Sequence, residues 1–238
     1  MRPIGFSTGA VAYSDFKRAL DLLAAEPVSC IELSALRFHE VVPLLNALEM
    51  LNLRRYQYVS FHAPSTFDVD QERFLIEQLR RVPREWPIVI HPDTIHSWAA
   101  WRQFGPQLAV ENMDRRKPSG RTVQELRSTF EELPDAAMCF DIGHSRQCDP
   151  SMTEAYGILK TFQRRIKQIH ISEVNTASQH DPISYASRIA FQEVACLIPS
   201  SVPVIIESRV TQPEIRREIC SVAEALPEYT PVREMTNA

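Results

Sequence analysis

Tyr58-Val59-Ser60-Phe61-His62 is a short β-rich run that ends on an imidazole. The design recurs in Ile88-Val89-Ile90-His91, Leu108-Ala109-Val110-Glu111, Met138-Cys139-Phe140-Asp141, Ile169-His170 and Val204-Ile205-Ile206-Glu207. Brief runs rich in β-branched and aromatic residues predict buried parallel strands. Each of these six ends on a side chain that can ligate a metal. If the six lie side by side in one closed sheet, their last residues meet at one mouth. Imidazoles and carboxylates gathered there favour a divalent cation.

Helix-like stretches separate the runs. Ile4-Gly5-Phe6-Ser7 is followed by Phe16, Ala19, Leu20 and Leu23 on one face, and Cys30-Ile31-Glu32-Leu33 by Val41, Leu44, Leu45, Leu48 and Leu51. The His62 run is followed by Phe74, Leu75, Leu79 and Val82, and the His91 run by the short Trp98-Ala99-Ala100-Trp101. Further helices are expected over 122–133, 151–162, 191–198 and 211–226. Thr122/Glu125, Ser151/Glu154 and Thr211/Glu214 have the spacing of capping boxes, in which hydroxyl and carboxylate satisfy free N–H groups reciprocally. Eight strand–helix units in succession predict an α/β fold, a (β/α)8 TIM barrel. The chain of 238 residues is expected to form one domain over 1–238, with a weakly patterned tail over 227–238. A doubly wound sheet would ask for a Gly-rich first turn, and the whole chain has 6 glycines.

Composition narrows the function. A net charge of −4 argues against a general polyanion binder. No stretch approaches the roughly 20 apolar residues of a membrane span, and the start lacks a signal peptide's apolar run. The 5 cysteines show no Cys-x-x-Cys spacing, which fits free thiols in a reducing cytoplasm. Asp114-Arg115-Arg116-Lys117-Pro118-Ser119-Gly120-Arg121 is the one dense basic cluster, placed in the loop after Glu111. It reads either as a clamp for phosphate or nucleic-acid backbone or as a solvated loop. Arg37, Arg146 and Arg209 are further cations expected near that face. Cys148 is read as a free thiol, and His39 and His96 as surface or local structure. Glu32 faces the same way as Cys30, with an ion pair or catalysis as its two readings.

Taken in order, Phe61-His62-Ala63-Pro64, His91-Pro92-Asp93, Val110-Glu111-Asn112, Phe140-Asp141-Ile142-Gly143-His144, His170-Ile171-Ser172-Glu173 and Ile206-Glu207-Ser208 resemble the xylose isomerase-like TIM-barrel superfamily. That group holds sugar isomerases and epimerases, some dehydratases and the endonuclease IV nucleases. The resemblance implies that Glu111, Asp141, His170 and Glu207 ligate a divalent metal, with Mn²⁺, Mg²⁺, Co²⁺ and Zn²⁺ all compatible. In the epimerase branch, Glu111 and Glu207 double as catalytic acid and base. His62, His91, Asn112, His144 and Arg209 are then the candidate substrate contacts. In the nuclease branch, His62 and His91 join Glu111 around a second metal, and His144 and His180 help to hold a third.

Two positions depart from the family pattern. Ser178 stands where the nucleases carry an aspartate two residues before the His180 position. Thr176 stands where some epimerases carry an arginine. The expected function is therefore a metal-dependent isomerase or epimerase of a small sugar, sugar phosphate or polyol. The alternatives are a metal-dependent phosphodiesterase acting on abasic DNA and a non-catalytic ligand-binding barrel. The expected partner is a small carbohydrate rather than a nucleic acid or membrane, and an exposed apolar helix face leaves room for a homodimer.

Overall fold

The computed structural model describes residues 2–228, so the expected tail falls outside the described residues from position 229 onward. In chain order the strands are β1 (Ile4–Ser7), β2 (Cys30–Ser34), β3 (Tyr58–His62), β4 (Ile88–Ile90), β5 (Leu108–Glu111), β6 (Ala137–Asp141), β7 (Ile166–Ile171), β8 (Glu173–Val174), β9 (His180–Asp181) and β10 (Val204–Ile206). All but β8 and β9 run parallel and close into a barrel, with β10 returning to pair with β1. The fold is the (β/α)8 barrel expected from the sequence. The strands β8 and β9 form a small antiparallel hairpin in the connection after β7. Nothing in the hydropathy pattern marked it, because strands of two residues have no period.

The outward faces of the strands supply Ile31, Phe61, Ile90, Val110, Phe140, Ile169 and Ile206 to the main core. The helices answer with Leu23, Leu44, Leu75, Leu79, Leu126, Ile158, Phe191 and Val222, all buried. Each such side chain contributes about 1.5–3 kcal/mol of transfer free energy. A separate small cluster, Val89, Ala109, Ala137 and Cys139, fills part of the barrel interior. By strand alternation, Ala109 lies beneath Glu111 and Cys139 beneath Asp141. Small residues below leave the polar mouth above without a bulky floor.

Helix starts are only partly as the spacing predicts. Thr122 accepts from the Glu125 N–H at 3.2 Å ahead of the helix Val123–Glu132. Thr211 and Glu214 form the expected reciprocal box, opening a 3₁₀ turn, Gln212–Glu214, that leads into the helix Ile215–Ala225. The helix expected from Ser151 instead starts at Thr153, and Asp149 accepts from the Glu154 N–H at 2.9 Å. The seventh-unit helix spans Tyr185–Ala195, earlier than expected. Two further short helices, Thr8–Ala12 and Ile142–Cys148, follow directly on β1 and β6.

Glycine is required at two places that set the mouth. A Cβ on Gly5 would lie 1.9 Å from the Cys30 carbonyl oxygen, where β1 meets β2. A Cβ on Gly143 would lie 2.4 Å from the Ser172 carbonyl oxygen. The bare backbone at Gly143 lets the helix Ile142–Cys148 press against the end of β7. The register Asp141↔His170 is held in that way at the top of the sheet.

Candidate metal centre

Glu111 is the hub of the mouth. Its Oε2 lies 3.1 Å from His62 Nε2 and 3.2 Å from His91 Nε2. Its Oε1 lies 3.3 Å from His170 Nδ1 and 3.4 Å from His144 Nδ1. Glu207 reaches the same imidazole, with Oε1 3.5 Å from His170 Nδ1, while its Oε2 lies 3.4 Å from His180 Nδ1. Asp141 Oδ2 lies 3.5 Å from His144 Nδ1. All eight candidate ligands expected from the sequence therefore converge, although Glu111 and Glu207 are far apart along the chain.

The ligand atoms fall into four overlapping sets, each with members within 4.8 Å of one another: Glu111, Asp141, His170 and Glu207; His62, His91 and Glu111; Asp141, His144 and His180; and Glu32, His62, His170 and Glu207. The donors suit a divalent cation on their own chemistry. Burial of Asp141 and His170 is complete, yet Asp141 Oδ2 and His170 Nδ1 make no hydrogen bond. A buried lone pair without a partner costs about 1–3 kcal/mol or more, and a cation shared by both atoms removes that cost.

Backbone geometry fixes these donors. Asp141 ends β6 and caps the helix Ile142–Cys148, its Oδ1 accepting from the His144 N–H at 2.6 Å. One carboxylate oxygen is thereby committed to the cap and the other is left for the mouth. His144 Nδ1 lies 2.9 Å from the Asn112 carbonyl oxygen, and His62 Nδ1 lies 2.7 Å from the Ala63 carbonyl oxygen. The His62 contact leaves Nε2 to face Glu111. His180 is carried in by β9, with Nδ1 2.8 Å from Ser172 Oγ.

Electrostatics separate the two glutamates. Burial disfavours ionisation of Glu111, but His170, His91 and His62 outweigh it and hold the carboxyl well below the usual range. Burial pushes the Glu207 carboxyl up to about 8, against the pull of His170, with Glu111 and Asp141 adding to the rise. Burial also pushes His180 down to about 3, helped by neighbouring His144. His62 is raised to about 9, because Glu111 and Glu32 overcome the cost of burying its charge.

The remaining candidates fall in different places. Arg209 is exposed at the rim, its guanidinium 5.8 Å from the Tyr13 ring. Asn112 is fully buried and faces away from the mouth. Its amide donates to the Asp141 carbonyl at 2.8 Å and to Ser145 Oγ at 3.0 Å, and accepts from the Asp141 N–H at 2.8 Å. It ties the end of β5 to the end of β6. In the basic loop, Lys117 pairs with Asp93 at 2.9 Å and Arg121 with Glu125 at 2.8 Å. Arg37 is paired with Glu40 at 2.8 Å, and Arg146 is partly buried. Cys148 is raised to about 11 by burial and remains a thiol. His96 is exposed and binds the Phe67 carbonyl, as local structure.

Glu32, for which the sequence left an ion pair and catalysis open, lies inside the barrel beneath His170, two residues short of the end of β2, and pairs with that imidazole at 3.0 Å. One contributor escaped the strand-end pattern. Asp114, grouped by sequence with a basic cluster, is buried and accepts from Ser178 Oγ at 2.6 Å. The carboxylate missing at position 178 thus has a neighbour from a different loop, a relation that sequence order cannot carry.

Above the ligands lies a cavity of about 230 Å³, lined in part by His62, Glu111, His144, Glu207, Arg116 and Arg209. It is smaller than the roughly 300–1,000 Å³ typical of drug-sized ligand sites.

No protein-family model matches the chain, and no curated protein matches it in sequence. Solved structures do match. The chain is similar to the apo form of 3-keto-D-glucoside 4-epimerase from E. coli, with 12% identity, a TM-score of 0.55 and coverage of 94% of this chain and 99% of that one. It is similar to a putative sugar phosphate isomerase/epimerase from Anabaena variabilis, at 12% identity, TM-score 0.55 and coverage of 100% and 92%. It is also similar to dihydropteroate synthase from Yersinia pestis, at 12% identity, TM-score 0.51 and coverage of 93% and 92%. These likenesses establish the barrel and agree, at the level of fold, with the resemblance to the xylose isomerase-like superfamily. The synthase among them illustrates that such a fold does not choose a reaction.

Proposed function

We propose that this chain is a divalent-metal-dependent isomerase or epimerase acting on a small sugar, sugar phosphate or related polyol. The observation that carries the reading is the pair Glu111 and Glu207. They face one small cavity from β5 and from just beyond β10, with their proton affinities pushed in opposite directions. Two carboxyl groups so divided suit acid and base roles at one carbon.

Glu111, Asp141, His170 and Glu207 would hold the cation, whose Lewis acidity would lower the cost of negative charge on a substrate carbonyl oxygen. Glu111, kept ionised, takes the proton from the carbon beside the carbonyl. Glu207, facing the same cavity from the other side, returns a proton drawn from solvent or from the substrate. Delivery to the opposite face of the same carbon inverts it; delivery to the neighbouring carbon moves the carbonyl. His144 is near enough to Glu111 to orient a substrate hydroxyl. The 230 Å³ cavity matches a compact substrate. Arg209 at the rim suits an anionic or polyhydroxylated end.

Solvent deuterium exchange into candidate ketoses and ketose phosphates, with Mn²⁺ or Co²⁺ added, tests the reading. Exchange that disappears in both Glu111→Gln and Glu207→Gln is expected. A protein that binds metal yet exchanges no substrate across a broad panel would overturn it.

One observation favours a second reading. His62 and His91 form a second three-donor set with Glu111, which the two sets share. A second cation there suits water activation and phosphodiester hydrolysis. Metal content divides the two: one ion per chain supports proton transfer, whereas two or three ions together with nicking of an abasic-site duplex support hydrolysis.

A further inference from the structure

Glu32 is a carboxylate sealed inside a buried polar cluster. It is fully buried in β2, inside the barrel, below the mouth. Its Oε2 lies 3.0 Å from His170 Nε2. The same oxygen accepts from Gln168 Nε2 at 2.6 Å and from Ser60 Oγ at 3.1 Å, while Oε1 has no hydrogen-bond partner. Burial disfavours its charge, but His170, His62 and Gln168 outweigh that and hold the carboxyl below the ordinary glutamate range, so it is a paired, ionised group.

Its main partner is the imidazole above it. His170 Nδ1 faces Glu111 and Glu207, whereas Nε2 faces down to Glu32 and Gln168. A neutral imidazole carries one proton, and only the nitrogen without it can donate a lone pair to a cation. Two groups compete to set that choice. The Gln168 amide nitrogen, 2.6 Å from Nε2, is a donor and favours an Nε2 lone pair. That arrangement would place the proton on Nδ1 and disable the ligand. Glu32 is an acceptor and favours Nε2–H.

Gln168 is held in its orientation from below, because the Tyr58 hydroxyl donates to its Oε1 at 2.7 Å. Its amide nitrogen has another outlet, Cys139 Sγ at 3.6 Å, and so need not donate to His170. We propose that Glu32 is a positioning residue: its buried carboxylate, set by Gln168, Tyr58 and Ser60, accepts the Nε2 proton of His170 and so presents the Nδ1 lone pair upward to the mouth. Glu32 also falls in a donor set with His62, His170 and Glu207, but with its Oε2 taken up by the Nε2–H of His170 it does not itself hold the cation in this arrangement. It acts through His170, as carboxylates behind metal-binding imidazoles generally do.

The inference rests on the reading of His170 as a metal ligand, and the experiment separates the two. Mn²⁺, Co²⁺ and Zn²⁺ binding is measured by calorimetry for the wild-type chain and for Glu32→Gln. In parallel, imidazole ¹⁵N shifts of wild-type His170 are recorded with and without Zn²⁺. The expected result is wild-type binding and a metal affinity about 10–100-fold weaker in Glu32→Gln. The neutral ring in the wild type should carry its proton on Nε2.

A Glu32→Gln protein that binds metal as tightly as the wild type overturns the positioning role, as does a loaded wild-type ring protonated on Nδ1. The shift measurement needs no variant, so it decides the matter even if Glu32→Gln fails to fold. A wild-type chain that binds none of the three ions sinks the ligand reading itself, a different failure.

Discussion

At the scale of single residues, Glu207 has the most measurable behaviour. Its folded pKa of about 8 lies above the ordinary glutamate value near about 4.3, so the native metal-free state holds a proton that the unfolded chain releases. The stability this contributes is complete below about 4.3 and is lost as pH rises through about 8. His62, raised to about 9, acts in the same direction at the alkaline end. His180, lowered to about 3, acts in the opposite sense: its contribution is present above about 6.5 and is lost as pH falls. Between about 4.3 and 6.5 the losses at Glu207 and the gains at His180 offset one another, and above about 6.5 both Glu207 and His62 lose stability. Melting temperatures of the metal-free protein should therefore be highest between about 4.3 and 6.5 and fall from there toward about 8; a maximum at or above about pH 8 would contradict these assignments. Cation uptake near pH 7 should also release a proton from Glu207, read as a buffer-dependent binding enthalpy. Glu207→Gln should reduce that release, leaving the proton given up by His170, and should lower turnover by about 10²-fold or more, measured by substrate deuterium exchange.

At the scale of elements, the sequence was most legible where a residue closes a strand. The alternation that buries Ala109 and Cys139 also lifts Glu111 and Asp141 to the rim, and that relation is local. It was least legible where the partner comes from elsewhere in the chain. Asn112 follows a ligand and looks like a substrate contact, yet its amide joins two strand ends. Ser151 matches a capping box, yet Asp149 takes the cap because Met152 turns into the left-handed region, at φ 59°. The helix Ile142–Cys148 escaped notice because Gly143 and Ser145 interrupt any apolar stripe, and Gly143 is what its packing needs. Gly143→Ala should destabilise the fold by about 1–3 kcal/mol, since backbone, and not a flexible side chain, stands in the way. Thermal unfolding measures this, and a weakened metal affinity should accompany it if the helix sets Asp141. An unchanged melting temperature would mean that the helix and β7 can part without cost.

At the scale of the whole molecule, the barrel concentrates unfavourable groups at one end and places its apolar core around the outside. Four imidazoles surround one glutamate, and each is inaccessible or nearly so. Assembling such a cluster costs solvation that only a bound cation or a fixed pattern of protons can offset. A ligand present at 100 times its Kd adds about 2.7 kcal/mol to stability. Saturating divalent metal should accordingly raise the melting temperature by several degrees, and a chelator should reverse the gain. A melting temperature indifferent to Mn²⁺, Co²⁺ and Zn²⁺ at neutral pH would count against a metal centre.

The excursion made by β8 and β9 has a consequence for traffic through the mouth. Most donors stand on or next to strands locked into the closed cylinder, whereas His180 hangs on a two-residue ribbon whose partners include Ser172 and Asn175. The ribbon lies outside the cylinder's ladder and is tied down largely by side chains, among them Gln147 and Asp114 on Ser178, so it can open while the cylinder stays intact. Amide hydrogens over 173–181 should then exchange with heavy water far sooner than those of the flanking cylinder staves, and should slow when the mouth is filled. That ribbon, not the wall, would be the door.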